Sequence, residues 1–216
     1  MCGIFGTISN SEIDYKSLKI LATHSKQRGK DSSGIIKFSQ DNYHVERADF
    51  DIDKLLRKNN FKNISVTLGH SRLITNGLHD NQPVVRDNIA VIHNGIIVNE
   101  AQAWKNINQT RKLNIDSELI ATIADEYIKN NNNIEELPAK ITSICRGTVA
   151  CAILVPILGK VILFSNNGSL YVGEKGSTKY FASESYPLKK IGCKEIKQVL
   201  DEGMVLDIPT SNSLEV

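Results

Sequence analysis

The chain opens with "MCGIFG" (residues 1–6), in which a cysteine stands second, ahead of an apolar run of strand composition. If Met1 is removed, Cys2 becomes the first residue and carries a thiol and an α-amine on the same carbon. The ordinary pKa of an α-amine is about 7.7–8.0, so near neutral pH part of it can accept the proton of the thiol. The stretch therefore predicts either a nucleophile with its own base or a plain strand cysteine behind a retained methionine.

The bulk composition is typical of a globular protein, with 216 residues, 41% hydrophobic and 23% charged, and a net charge of +2. We expect one domain over residues 1–216, with a core at 2–208 and a short tail at 209–216. The scattered basic residues predict neither a nucleic-acid nor a membrane partner. The four cysteines lie far apart in the sequence, which favours reduced thiols and a cytoplasmic location.

The order of periodic segments indicates the fold class. Helical spacing of apolar residues predicts helices within 14–29, 116–131 and 134–147, and the charged segment 51–60 suggests a short helix. Most other apolar segments have strand composition. The run "VACAILVPILGKVILF" (149–164) is too short and too interrupted to cross a membrane, so it predicts two buried strands joined by a turn. Strands, then helices, then strands predict an α+β fold of antiparallel sheets with helices on their outer faces.

Four further segments carry more polar chemistry than packing requires: "QRGKDSSG" (27–34), "GHSRLITNG" (69–77), "IHNGIIVN" (92–99) and "DSE" (116–118). Together with "MCGIFG", and in this order, they resemble the class II glutamine amidotransferases, whose glutaminase domains are N-terminal-nucleophile hydrolases. Within that family the similarity is closest to the aminosugar branch, that of glucosamine-6-phosphate synthase. The resemblance implies a four-layer αββα sandwich, and hydrolysis of L-glutamine through a γ-glutamyl thioester.

The same resemblance implies three catalytic groups. Cys2 would attack the side-chain amide of glutamine, with its own α-amine as base, directly or through water. The Asn94 side chain and the Gly95 backbone N–H would hold the resulting oxyanion, as tetrahedral intermediates require. On its own, however, an Asn-Gly pair also fits a type I′ hairpin turn.

Four residues are expected to bind the substrate. Arg72 suits the α-carboxylate of glutamine, because a guanidinium binds a carboxylate with two parallel hydrogen bonds. Thr75 and Asn76 would add hydrogen bonds there. Asp116 would pair with the α-ammonium group, although its place also fits a helix N-cap.

The remaining polar residues are expected to support the site. Arg28 and Asp31 would either orient the surroundings of the cysteine or pair with each other, and His93 would pack or hydrogen-bond beside the oxyanion pair. The five histidines lack metal-ligand spacing, so no metal is expected. Without a glycine-rich phosphate loop, no nucleotide cofactor is expected either.

Two positions in "GHSRLITNG" depart from the aminosugar branch, with Leu73 in place of an aromatic residue and Asn76 in place of histidine. The chain ends soon after its last predicted strand. It is therefore expected to be a stand-alone glutaminase that delivers ammonia to a separate synthase or isomerase-type subunit, which aminates a sugar or sugar phosphate. Two alternatives remain open: the glutaminase part of an asparagine-synthase-like amidation, and a catalytically idle glutamine-sensing subunit.

Overall fold

The structure is a computed structural model that describes residues 2–39, 42–73, 80–87 and 89–209. Within these ranges the chain forms twelve β-strands: β1 Gly3–Ile8, β2 Ser32–Ser39, β3 Asn42–Ala48, β4 Val66–Arg72, β5 Val84–Arg86, β6 Ile89–Ile97, β7 Gly147–Val155, β8 Lys160–Ser165, β9 Tyr171–Lys175, β10 Thr178–Ala182, β11 Lys194–Gln198 and β12 Met204–Asp207.

The same ranges contain six α-helices and two short 3₁₀ turns. The helices are α1 Tyr15–Lys26, α2 Ile52–Arg57, α3 Glu100–Trp104, α4 Ser117–Lys129, α5 Leu137–Ile144 and α6 Ser185–Lys190, and the 3₁₀ turns are Ile134–Glu136 and Pro156–Leu158. No helix in the described part of the chain has both the length and the apolar composition needed to span a membrane.

The strands form two antiparallel sheets. One has seven strands in the order β11-β9-β10-β1-β4-β2-β3, and the other has five in the order β12-β8-β7-β6-β5. Strands β7 and β8 pair directly, so the apolar run at 149–164 is confirmed as two buried strands joined by a turn. The predicted antiparallel α+β class is also confirmed.

Alternating side chains along the strands build three apolar layers. The layer between the two sheets contains Ile4 and Leu68 from one sheet and Ile92 and Ala152 from the other. A second layer packs the outer face of the seven-stranded sheet against α1, α2 and α6. A third packs the outer face of the five-stranded sheet against α4 and α5. The result is the expected αββα stack.

The helix boundaries follow local chemistry. The Asp14 side chain caps α1 by accepting hydrogen bonds from the backbone N–H groups of Lys16 (3.0 Å) and Ser17 (3.2 Å). Pro138 lies in the first turn of α5, where its missing N–H breaks no helical hydrogen bond. The segment 134–147, predicted as one helix, is instead a 3₁₀ turn followed by α5.

Other departures from the sequence-based expectation involve short elements. Helices α3 and α6 span five and six residues, too few to show a repeating apolar face, and neither was predicted. Strands β11 and β12 are close in sequence but lie in different sheets, β11 at an edge of the larger sheet and β12 at an edge of the smaller one. Which edge each strand joins depends on tertiary packing.

Candidate active site

Cys2 and Arg72 lie side by side at one end of the seven-stranded sheet. Strands β1 and β4 pair with Gly3 opposite Ser71, which places Cys2 next to Arg72. Even-numbered residues of both strands, such as Ile4, point towards the five-stranded sheet. The Cys2 and Arg72 side chains therefore lie on the face that is directed towards the five-stranded sheet.

The Cys2 sulfur lies in an environment of mixed charge. Burial raises the pKa of the thiol, while the backbone N–H of Leu73 and the charge of Arg72 lower it. Asp116, which belongs to the other half of the fold, raises it further. The thiol is therefore protonated near neutral pH, and attack on a substrate requires a base that removes the proton.

The backbone of Cys2 is held by Arg28, which itself forms an ion pair with Glu184. Arg28 follows α1, and its Nε donates a 2.8 Å hydrogen bond to the carbonyl oxygen of Cys2. Its Nη1 lies 2.8 Å from Oε1 of Glu184, a residue that sequence reasoning missed. Asp31 is exposed, and its backbone N–H donates to the carbonyl of Arg72 (3.1 Å). Arg28 thus touches the candidate nucleophile, and Asp31 touches the neighbouring strand.

Asn94 and Gly95 lie inside strand β6, not in a turn. They pair with Ala150 and Val149 of β7, and the strand continues to Ile97. The Asn94 side chain is 5% exposed, and its amide has no hydrogen-bond partner among the residues the structure describes. It is on the same face as Ile92, so it points towards the seven-stranded sheet. The hairpin-turn interpretation is wrong.

The Gly95 N–H lies on the open edge of β6. Backbone N–H groups alternate between the two edges of a strand, so those of residues 93, 95 and 97 share the edge away from β7. The His93 N–H donates to Gln82 Oε1 (2.6 Å) and the Ile97 N–H donates to Asp116 Oδ2 (3.0 Å). For the Gly95 N–H between them, the described residues supply no acceptor. A side chain at position 95 would collide with the carbonyl oxygen of Thr148.

Asp116 is tied to β6 and does not cap α4. It stands at the N-cap position, as its place in the sequence predicted, but its backbone is helical and its side chain makes no capping hydrogen bond. The side chain turns instead to the Ile97 N–H, a backbone donor that strand β6 leaves unpaired. Its Oδ1 lies 3.4 Å from the Ser117 hydroxyl and 3.9 Å from His93 Nδ1.

His93 packs on the helix side of β6, behind the Asn94–Gly95 corner. Its Nδ1 is 3.2 Å from the Ser117 hydroxyl and its Nε2 is 3.3 Å from the carbonyl of Thr148. Burial lowers its pKa, and the nearby Asp116 carboxylate acts in the opposite direction. His93 therefore connects the first turn of α4 to the β6–β7 pair.

Comparison with known proteins identifies the family. Residues 70–190 match the glutamine amidotransferase domain. The chain belongs to this family. Glutamine–fructose-6-phosphate aminotransferase (isomerizing) of Helicobacter pylori is 29% identical over 85% of this chain and 32% of its own length. The corresponding protein of Thermococcus kodakarensis is 30% identical over 87% of this chain and 33% of its own length. This chain thus matches about a third of the length of these relatives.

A solved structure shares the fold. Glutamine phosphoribosylpyrophosphate amidotransferase from B. subtilis, complexed with ADP and GMP, superposes with a TM-score of 0.78 over 95% of this chain and 47% of that chain, at 20% identity. The predicted αββα sandwich is confirmed, as is the resemblance of the chain to the class II glutamine amidotransferases.

His70 is a buried residue of the amidotransferase domain that sequence analysis assigned no role. It lies between Leu68 and Arg72 on the inner face of β4, is 0% exposed, and neither ring nitrogen has a hydrogen-bond partner in the described part of the chain. Burial lowers its pKa to about 3, assisted by the charges of Arg72 and His93. The carbonyl of His93 acts in the opposite direction without reaching hydrogen-bond geometry. His70 is therefore a neutral imidazole beneath the candidate site.

Two predicted substrate-binding residues, Thr75 and Asn76, lie outside the described residues. Arg72, in contrast, is described, and its Nη1 donates to the backbone carbonyl of Asp80. A buried ion pair was also missed: Glu118 in "DSE" is 0% exposed and its Oε1 lies 3.5 Å from Arg86 Nη1. The only sequence signal for the Arg86–Glu118 pair would have been a charged residue next to apolar neighbours.

Proposed function

We propose that this amidotransferase domain hydrolyses L-glutamine to glutamate and ammonia, with Cys2 as the nucleophile after removal of Met1. The observation that carries the proposal is the convergence of two sets of groups from opposite sheets. Cys2 and Arg72 end the seven-stranded sheet on its inner face, and the charge of Asp116, which is bound to β6, acts on the Cys2 thiol.

The reaction follows from these groups. The sulfur of Cys2 bonds to the side-chain amide carbon of glutamine while its proton passes to the α-amine, directly or through water. The amide oxygen becomes an oxyanion, stabilised by the Asn94 amide and the Gly95 N–H. When the carbon–nitrogen bond breaks, the leaving nitrogen takes the proton and departs as ammonia. Water then hydrolyses the thioester, releasing glutamate and restoring the thiol.

Recognition of the substrate uses charges from both halves. Arg72 binds the α-carboxylate of glutamine with its guanidinium, which makes one hydrogen bond within the described part of the chain and has further donors to offer. Asp116 binds the α-ammonium group with acceptor capacity that its bond to Ile97 leaves over. Thr75 and Asn76 are proposed to add hydrogen bonds to the carboxylate. The backbone around the reacting groups is proposed to be held in place by Arg28, Asp31 and His93.

The nucleophile is tested by mass spectrometry of the intact protein. We expect the purified protein to lack Met1 and to gain one adduct, on Cys2, with 6-diazo-5-oxo-L-norleucine, an electrophilic glutamine mimic. Cys2→Ala should gain none, whereas Cys193→Ala, which removes a half-buried cysteine elsewhere, should label like the wild type. Retained Met1, or labelling of another residue, would overturn the assignment.

We further propose that residues 2–208 act as one glutaminase domain that delivers ammonia to a separate synthase subunit, which aminates a sugar or sugar phosphate. The support is the similarity to the glutamine–fructose-6-phosphate aminotransferases, whose name gives a sugar phosphate as the acceptor of the amino group. Affinity purification from the native cell should recover that synthase. A monodisperse monomer with full turnover in the absence of any partner would contradict this part of the proposal.

A further inference from the structure

The two charges that bind the substrate backbone come from different parts of the fold. Arg72 ends β4 in the seven-stranded sheet, and Asp116 precedes α4 on the far side of the five-stranded sheet. In an amino acid the carboxylate and the ammonium are attached to the same carbon. Arg72 and Asp116 must therefore be held at a fixed separation, because small displacements of binding groups weaken the bound geometry.

One residue makes contact with both sides. The backbone carbonyl of Asp80 accepts a hydrogen bond from Nη1 of Arg72. The carboxylate of the same residue accepts, through Oδ2, from the backbone N–H of Asn114. Asn114 stands two residues before Asp116, in the segment that leads into α4. We propose that Asp80 is a positioning residue that fixes the spacing between the carboxylate-binding and the ammonium-binding groups; the inference rests on the proposed glutaminase function.

The segment on the Asn114 side is itself anchored. Glu118 is fully buried, and its carboxylate accepts hydrogen bonds from the backbone N–H groups of Lys112 (2.9 Å) and Leu113 (2.7 Å). Arg86 pairs with Glu118 and also donates to the Thr110 carbonyl (2.9 Å). The N–H of Asn114 is therefore presented by a fixed turn, and an acceptor that binds it is fixed in the same frame.

The chain on the Asp80 side is anchored as well. The Asn81 side chain donates to the carbonyl of Ser33 (3.0 Å) and accepts from the N–H of Gln82 (2.8 Å). The Gln82 side chain bonds to both the N–H and the carbonyl of His93, joining this segment to β6. Asp80 therefore lies between two anchored segments, and its carboxylate bonds to one of them next to Arg72.

The test compares Asp80→Ala with Asp80→Asn in steady-state glutaminase assays. The alanine variant loses the acceptor, so we expect its KM for glutamine to rise about tenfold, the size of one hydrogen bond to a charged group, while kcat stays within about threefold. The asparagine variant keeps a carbonyl oxygen in the same place and should remain within about threefold of the wild-type KM. Asp207→Ala removes an exposed carboxylate on β12 and is the matched control.

Two further readouts separate positioning from general damage. The inhibition constant of L-glutamate, which carries both α groups, should rise in parallel with KM. Alkylation of Cys2 by iodoacetamide, which carries neither, should keep its wild-type rate. If Asp80→Ala does not fold, Asp80→Ser, which shortens the acceptor, should show the same split.

An unchanged KM in Asp80→Ala, or equal losses in KM, kcat and iodoacetamide alkylation, would overturn the inference. The first outcome in an active wild-type enzyme would leave the proposed function intact. A wild-type protein that neither hydrolyses glutamine nor labels on Cys2 would instead remove the proposed function.

Discussion

The two sheets contribute to the candidate site in different ways. The seven-stranded sheet supplies side chains at or beyond strand ends, namely Cys2, Arg72 and the supporting Arg28. The five-stranded sheet supplies Asn94 and Gly95 from inside a paired strand, with Asp116 bonded to the same strand. The seven-stranded sheet carries the proposed nucleophile and the Arg72 guanidinium, and the five-stranded sheet holds the proposed oxyanion donors within a paired strand. Groups that must stabilise charge gain most from being fixed before the reaction begins.

The largest effect is expected at Cys2, at the end of the seven-stranded sheet. Cys2→Ser replaces the thiol with a far weaker nucleophile of nearly the same size, so glutaminase turnover should fall by at least about 10³-fold. The melting temperature should change little. Turnover within tenfold of the wild type would show that the sulfur does not perform the attack.

The contribution of the five-stranded sheet is tested by Asn94→Ala, which removes one proposed oxyanion donor. We expect kcat to fall by about 10²–10³-fold, while iodoacetamide still alkylates Cys2 at the wild-type rate. Asn94→Asp, which has the same shape but lacks the N–H donor, should be at least as impaired. Equal loss of turnover and of alkylation would mean that the two halves do not divide the work in this way.

The buried histidines, His70 in the seven-stranded sheet and His93 in the five-stranded sheet, are tested by the pH dependence of the free energy of unfolding. Because the pKa of His70 in the folded state is lowered to about 3, the unfolded chain binds a proton that the folded chain does not as the pH falls below the ordinary value of about 6.5. Stability should therefore decrease on acidification, with His70 contributing about 2 kcal/mol of loss between pH 7.5 and pH 5.

Urea unfolding at the two pH values measures this loss. In His70→Leu the pH dependence should shrink by that amount. The pKa of His93 is also lowered by burial, so part of the pH dependence should persist in His70→Leu. A pH dependence identical in His70→Leu and wild type would contradict the neutral buried imidazole.

The smallest effect is expected at the carboxylate-binding position. Arg72→Lys retains the charge but loses the two-pronged geometry, so the KM for glutamine should rise about tenfold with a smaller change in kcat. Steady-state kinetics measures both constants. An unchanged KM would show that Arg72 does not bind the substrate. Of the two groups assigned to the seven-stranded sheet, only the Cys2 sulfur would then remain.

The elements with clear periodicity were predictable, and the contacts between distant segments were not. The apolar spacing of α1 and α4 and the composition of β1 depend on local sequence, and all three elements were predicted. The direction of the Asp116 side chain depends on an unpaired N–H at Ile97, 19 residues away. The pairing of Arg28 with Glu184 spans 156 residues. Such contacts are set by how the sheets stack, about which the order of the motifs says nothing.

Arg28 grips the carbonyl of Cys2, and the strand pairing of β1 starts one residue later. All of these bonds lie on the carboxyl side of the Cys2 α-carbon, so cleavage of the peptide bond before Cys2 breaks none of them. Under the proposed function, a precursor that retains Met1 would therefore make the same contacts, and removal of Met1 would free the α-amine. Maturation would then be a chemical unmasking of an amine within a finished scaffold, with no refolding step.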